Sequence, residues 1–162
     1  MMKVFAFLII SLISSLSVIA QDTRIEQDNV PLKIQAKFFG KYKDITDVSW
    51  KKTQEDQFKA HFYTKNREIS VYYDKSGRMM QVENVSKKAV LTDEVSNHIN
   101  ERFPDNKILE FKKVTRFYVQ GTTGPQHYFE ILLKEGKKKS SVFFDGEMNL
   151  MQADNVFNLA VN

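Results

Sequence analysis

The 162-residue sequence contains no cysteine, which excludes disulfide cross-links, a thiolate nucleophile, thiolate-held zinc and a cysteine-linked lipid anchor. Proline and glycine are scarce, at three and six residues, so a collagen-like or glycine-rich low-complexity chain is excluded as well. Histidine occurs only as His61, His98 and His127, and neither HExxH nor another paired-ligand spacing connects them. The sequence has no GxSxG nucleophile turn, no phosphate-binding loop and no dinucleotide fingerprint. Short-range acids such as Asp44 with Asp47, or Asp74 near Gly77, read as turn residues that bond their own backbone rather than as an acid and base pair. Catalytic residues, metal ligands and cofactors are therefore not expected.

What is present is aromatic and mildly basic. Thirteen Phe, six Tyr and one Trp stand beside 24 Lys and Arg against 20 Asp and Glu, a net charge of +4. The basic doublets Lys51-Lys52, Lys87-Lys88 and Lys112-Lys113 and the triplet 137–139 are dispersed among acids, with no continuous basic helix or stacking strand for nucleic acid. Such a surplus can instead steer an acidic partner protein or favour an anionic envelope surface.

The first 20 residues carry Lys3, then an apolar run over 4–10, and end in Val18-Ile19-Ala20. Serines at 11, 14, 15 and 17 interrupt the run before it reaches the roughly 20 residues that cross a bilayer. This pattern predicts a secretory signal peptide over 1–20, cleaved after Ala20, and a periplasmic or secreted bacterial protein without a transmembrane segment in its mature chain. Residues 21–29 are polar and predict a flexible N-terminus.

An internal repeat organises the remainder. The apolar stripe Val30, Ile34, Phe38, Tyr42 recurs 61 positions later as Leu91, Val95, Ile99, Phe103, and Trp50-Lys51-Lys52 aligns with Phe111-Lys112-Lys113 at the same offset. From Phe58 onward the offset is 71: Phe58-Lys59-Ala60-His61-Phe62 aligns with Phe129-Glu130-Ile131-Leu132-Leu133, and Val71-Tyr72-Tyr73-Asp74 with Val142-Phe143-Phe144-Asp145. The ten additional residues fall around Gly121-Thr122-Thr123-Gly124-Pro125, a longer hairpin loop. Each copy passes from helical spacing to strict alternation. The expected fold is therefore α+β, with two tandem units over 30–85 and 91–162. Each unit is one helix followed by a four-stranded antiparallel sheet, joined by a linker over 86–90. Gly77 suits a positive φ at the last turn of the first copy, whereas Met148 stands at the aligned position, so the second turn is expected to differ.

These residues resemble the PepSY-like domains described as β-lactamase-inhibitor-like in exported proteins of Bacteroidetes. The likeness is carried by Val30-Pro31, Phe38 with Tyr42, Asp47-Val48-Ser49-Trp50, Phe58 to Phe62, and Val71-Tyr72-Tyr73-Asp74 with Gly77-Arg78. In the second copy it is carried by Arg102-Phe103-Pro104, Tyr128-Phe129-Glu130-Ile131 and Val142 to Asp145. The resemblance implies a layout similar to β-lactamase inhibitor protein, in which a curved sheet holds a partner on its free face. Alternation places Tyr63, Tyr72, Tyr128 and Phe143 on the face away from the core, where aromatic side chains serve as interface anchors. The alternatives for them are cross-strand pairing within the sheet and packing between the two units. The leading expectation is a non-enzymatic exported binding module that engages, or inhibits, another envelope or secreted protein. A periplasmic small-ligand or peptide carrier is the alternative.

Overall fold

The computed structural model describes residues 22–87, 93–119 and 121–152. The expected signal peptide over 1–20, positions 88–90 of the expected linker, and residues 153–162 lie outside the described residues.

Two helices form where the apolar stripes predict them. Helix α1 runs Leu32–Lys41 behind Pro31, whose fixed φ opens the first turn, and its Ile34 and Phe38 are fully buried. It closes at Tyr42, whose N–H donates to the Phe38 carbonyl at 2.8 Å. Helix α2 runs Asp93–Arg102 and buries Ile99. The Phe103 N–H donates to the Ile99 carbonyl at 2.9 Å, and Pro104 then prevents continuation.

The strands correct the expected fold class. They are β1 (Thr23–Ile25), β2 (Ser49–Lys52), β3 (Phe58–Tyr63), β4 (Glu68–Tyr73), β5 (Met79–Lys87), β6 (Lys107–Arg116), β7 (Gln126–Glu135), β8 (Lys138–Asp145) and β9 (Leu150–Met151). All nine make a single antiparallel sheet in chain order. Two units, each with its own four-stranded sheet, are not what forms. The overturning contact is β5 on β6, in register from Gln81↔Arg116 to Lys87↔Glu110. Its physical reason is that two separate sheets would leave two long strands, of nine and ten residues, as open edges, and pairing them satisfies both rows of backbone groups. The ends of the merged sheet are short strands of three and two residues. Within 21–29, Thr23–Ile25 adds an edge strand on β2, a strand that local patterning did not indicate. Ser86 and Lys87, expected in the linker, lie within β5.

Both helices lie against the same face of this sheet. Under α1 are Trp50, Ala60, Phe62, Val71 and Tyr73, and under α2 are Ile108, Ile131, Leu133 and Phe144. Cross-strand register puts Asn84 and Lys113 on that face between Ile69 and Phe129, so the apolar covering is divided although the sheet is continuous. Phe38 centres the first cluster, with ring centroids 5.1 to 5.4 Å from those of Phe39, Tyr42, Trp50 and Phe62.

The two aligned turns, expected to differ, share one geometry. Asp74 N–H donates to the Arg78 carbonyl at 3.0 Å and Gly77 N–H to the Asp74 carbonyl at 2.9 Å. In the second turn Asp145 N–H donates to the Asn149 carbonyl at 2.9 Å and Met148 N–H to the Asp145 carbonyl at 3.1 Å. Gly77 has φ 80° and Met148 accepts φ 65°. Each aspartate Oδ1 also accepts a backbone N–H, from Arg78 at 2.9 Å and from Asn149 at 2.8 Å. Desolvation acts to raise the Asp74 carboxyl, but the Ser76 hydroxyl and the Arg78 guanidinium and amide outweigh it and hold it well below the usual carboxylate range. A Cβ on Gly77 would meet Ile34 Cγ1 at 3.6 Å, an ordinary contact, so the cost of substitution there is conformational. Gly77→Ala is expected to lower stability by about 1 kcal/mol in denaturant unfolding. An unchanged midpoint would show that the turn relaxes out of the left-handed region.

Candidate binding face

The sheet face opposite the helices carries the side chains that can meet a partner. Register makes it a set of parallel rows. One runs Arg24, Lys51, Lys59, Tyr72, Gln81, Arg116 from β1 to β6. The next runs Ser49, His61, Ser70, Glu83, Val114, Tyr128, and a third runs Tyr63, Glu68, Val85, Lys112, Glu130, Phe143. All four aromatic residues singled out by alternation therefore share this face, but their surroundings differ.

Tyr63, at the end of β3, is 67% exposed and stands edge-on to the His61 ring at 5.1 Å. Tyr72 is half-buried: Lys59 Nζ lies over its ring at 5.0 Å, and its hydroxyl donates to Glu83 Oε2 at 3.1 Å. Burial first, and then the neighbouring Glu83 carboxylate, push the Tyr72 phenol far above its ordinary value, so it remains a neutral donor. Tyr128 is only 6% exposed and packs with Val114, Phe143 and Met151. Phe143 is half-buried in that same cluster. Tyr128 and Phe143 are thus brought together, Tyr72 is linked to them through polar groups, and Tyr63 stands apart.

The polar link was not singled out from the sequence. Glu83 accepts from Tyr72 and also from Gln81 Nε2 at 2.8 Å, and Gln81 Oε1 accepts from Arg116 Nε at 2.9 Å. Arg116 Nη2 then donates to the Tyr128 hydroxyl at 3.2 Å, with the guanidinium over the Tyr128 ring at 5.2 Å. Its Nη1 is buried without a hydrogen-bond partner. In the third row Lys112 Nζ pairs with Glu130 Oε2 at 2.8 Å, and Glu130 Oε1 accepts from Ser141 at 3.0 Å. Burial would lower the Lys112 ammonium, but the Glu130 carboxylate outweighs it and raises its pKa. These hydrogen bonds restrict the side chains of Tyr72, Gln81, Glu83, Arg116 and Tyr128 across β4 to β7.

A groove of about 460 Å³ opens at one end of the face. Asp22, Gln57, Tyr72, Arg116, Phe117 and Tyr118 line it. Tyr118 is held at φ 60°, is 65% exposed, and has the Arg78 guanidinium 5.4 Å from its ring centre. Such volume lies within the range of small-ligand sites, roughly 300–1,000 Å³.

The three histidines are scattered. His61 Nδ1 is 3.2 Å from the Ser70 hydroxyl, His98 Nε2 is 3.1 Å from the Met148 carbonyl, and His127 Nδ1 is 3.0 Å from the Thr115 hydroxyl. Among the described residues no three or more of His, Asp and Glu converge in a way that could hold a metal ion. Nor is any described helix long and apolar enough to cross a membrane.

No family model and no curated protein matches the sequence. Solved structures do match its fold. A DUF2874 family protein from Bacteroides ovatus ATCC 8483 superposes with a TM-score of 0.63 at 16% identity, over 75% of this chain and 84% of that chain. A protein of Bacteroides eggerthii DSM 20697, assigned provisionally to the periplasm, gives 0.62 at 12% identity over 76% and 86%. A BLIP-like protein from Bacteroides fragilis NCTC 9343 gives 0.59 at 16% identity over 75% and 83%. At these identities the likeness is one of fold, and the fold is BLIP-like.

Proposed function

We propose that this chain is an exported bacterial binding module of the PepSY-like kind, not an enzyme, that engages another envelope or secreted protein through the helix-free face of its sheet. The observation that carries this reading is the face itself: one side of a nine-stranded sheet on which Tyr63, Tyr72 and Phe143 are accessible over a prearranged polar network. Rigid aromatic side chains bury much area at little entropic cost, and this face can occlude the surface of a partner seated on it. Tyr128 supports the face from beneath. Removal of residues 1–20 after Ala20 delivers the chain to the periplasm or beyond. The BLIP-like fold and the provisional periplasmic assignment of one structural neighbour support this placement. The groove beside Tyr72 and Tyr118 favours a second reading, a carrier of small ligands or peptides.

The test is affinity capture of the tagged protein from an envelope extract of its host, with Tyr63→Ala plus Phe143→Ala as control. A protein retained by the parent and lost by the folded control is expected. Equal retention by both would place the binding surface elsewhere, and an eluted small molecule in place of a protein would favour the carrier.

A further inference from the structure

The first row of the open face has an unbalanced charge pattern. Arg24, Lys51 and Lys59 occupy directly opposite positions on β1, β2 and β3. Like charges directly opposite one another on one face destabilise a sheet. Among the described residues none of the three is ion-paired to a carboxylate, and Lys59 rests instead over the Tyr72 ring. The row continues through Tyr72 and Gln81 to Arg116 and its unpartnered Nη1. The acids of the neighbouring rows are engaged. Glu83 accepts from Tyr72 and Gln81, Glu68 Oε1 lies 3.8 Å from His61 Nδ1, and Glu130 holds Lys112. On the other flank Asp22 and Glu55 line the groove, and Glu55 accepts from Gln57 at 3.0 Å. Positive charge is therefore in surplus along one line: the flanking acids are engaged except Asp22, which lies near Tyr72 at the groove and makes no ion pair among the described residues.

We infer that this row seats an extended acidic segment of the partner protein, rich in Asp or Glu, laid across the strands. The inference rests on the reading of the open face as a partner surface and adds the partner's chemistry. Six strands at about 4.8 Å spacing give a row of about 24 Å, the length of roughly seven extended residues. Carboxylates of that segment neutralise Arg24, Lys51 and Lys59, while the Tyr72 ring packs beneath the chain. Lys51 and Lys59 are half-buried and stand one strand apart in a single file, a geometry suited to a peptide rather than to a plane of lipid headgroups.

The experiment is fluorescence anisotropy with labelled octaglutamate, titrated with the exported protein at low and physiological salt. It compares the parent with Lys51→Gln/Lys59→Gln and with Lys137→Gln/Lys138→Gln, which removes the same charge at the exposed tip between β7 and β8. The row variant is expected to bind about tenfold more weakly, the tip variant within about twofold of the parent, and binding to weaken with salt. The row variant should keep or raise its melting temperature, because removing opposed like charges relieves repulsion. Equal weakening in both variants, or binding by neither variant nor parent, overturns the inference. So does row-dependent binding to vesicles of anionic lipid without binding to the peptide. A captured partner that is lost with Tyr63→Ala/Phe143→Ala but binds Lys51→Gln/Lys59→Gln at parental affinity would refute the acidic segment and leave the open-face reading standing.

Discussion

Phe38→Ala lowers the unfolding free energy by about 3–5 kcal/mol, the range for a large aromatic residue removed from a packed core. The side chain is fully buried and its ring touches four other aromatic rings, contributed by α1, β2, β3 and the α1 C-terminus. No neighbour can collapse into the vacated space without giving up its own contacts, so the cavity persists. The way the loss is distributed also tests the corrected architecture. β5 and β6 share seven register pairs, which tie the cluster under α1 to the cluster under α2. Phe38→Ala and Phe144→Ala should therefore shift one and the same unfolding transition, followed by circular dichroism and by Trp50 fluorescence. Two transitions, each moved by only one of the two variants, would show units that fold independently despite the common sheet.

The second large effect separates two tyrosines that alternation treats as equivalent. Tyr128→Ala costs about 3 kcal/mol of stability, because the ring is buried with Val114, Phe143 and Met151 and its hydroxyl accepts from Arg116. Losing it leaves Arg116, whose Nη1 is already unpartnered, with one fewer acceptor in a partly buried site. Tyr63→Ala changes stability by less than about 0.5 kcal/mol, since its side chain is mostly in solvent. In partner binding the order reverses: Tyr63→Ala is expected to weaken a captured complex by more than about 1 kcal/mol. Chemical denaturation and calorimetric titration of the two variants check both halves. A Tyr63 variant that binds like the parent removes that residue from the interface.

Local structure was legible because it is written in local spacing. The stripe 30, 34, 38, 42 places α1, the alternation of Phe58, Ala60 and Phe62 places β3, and Asp74 with Gly77 places its turn. The joining of β5 to β6 was not legible, since nothing in the alternation of one strand names a neighbour more than 20 residues away. Edge strand β1 is three residues long, too short for a period to show. Parity correctly assigned Tyr63, Tyr72, Tyr128 and Phe143 to one face, yet parity says nothing of depth. Tyr128 is buried because Val114 comes from β6, Phe143 from β8 and Met151 from β9. The Glu83, Gln81 and Arg116 network escaped notice for the same reason, as it joins two strands, β5 and β6, that helix α2 separates in sequence. Met148 shows the reverse error. A missing glycine suggested a different turn, but the aspartate that starts it, with its Oδ1 bonded to the amide four residues on, outweighs the left-handed strain.

Side-chain footprinting by hydroxyl radicals, run on the protein alone and in complex with a captured partner, addresses the central claim most directly. Tyr63, Tyr72 and Phe143 should lose reactivity in the complex, while Leu32, 81% exposed on α1, keeps it. Protection of Leu32 with unchanged reactivity at the three aromatic residues would put the partner on the helix side and contradict the account.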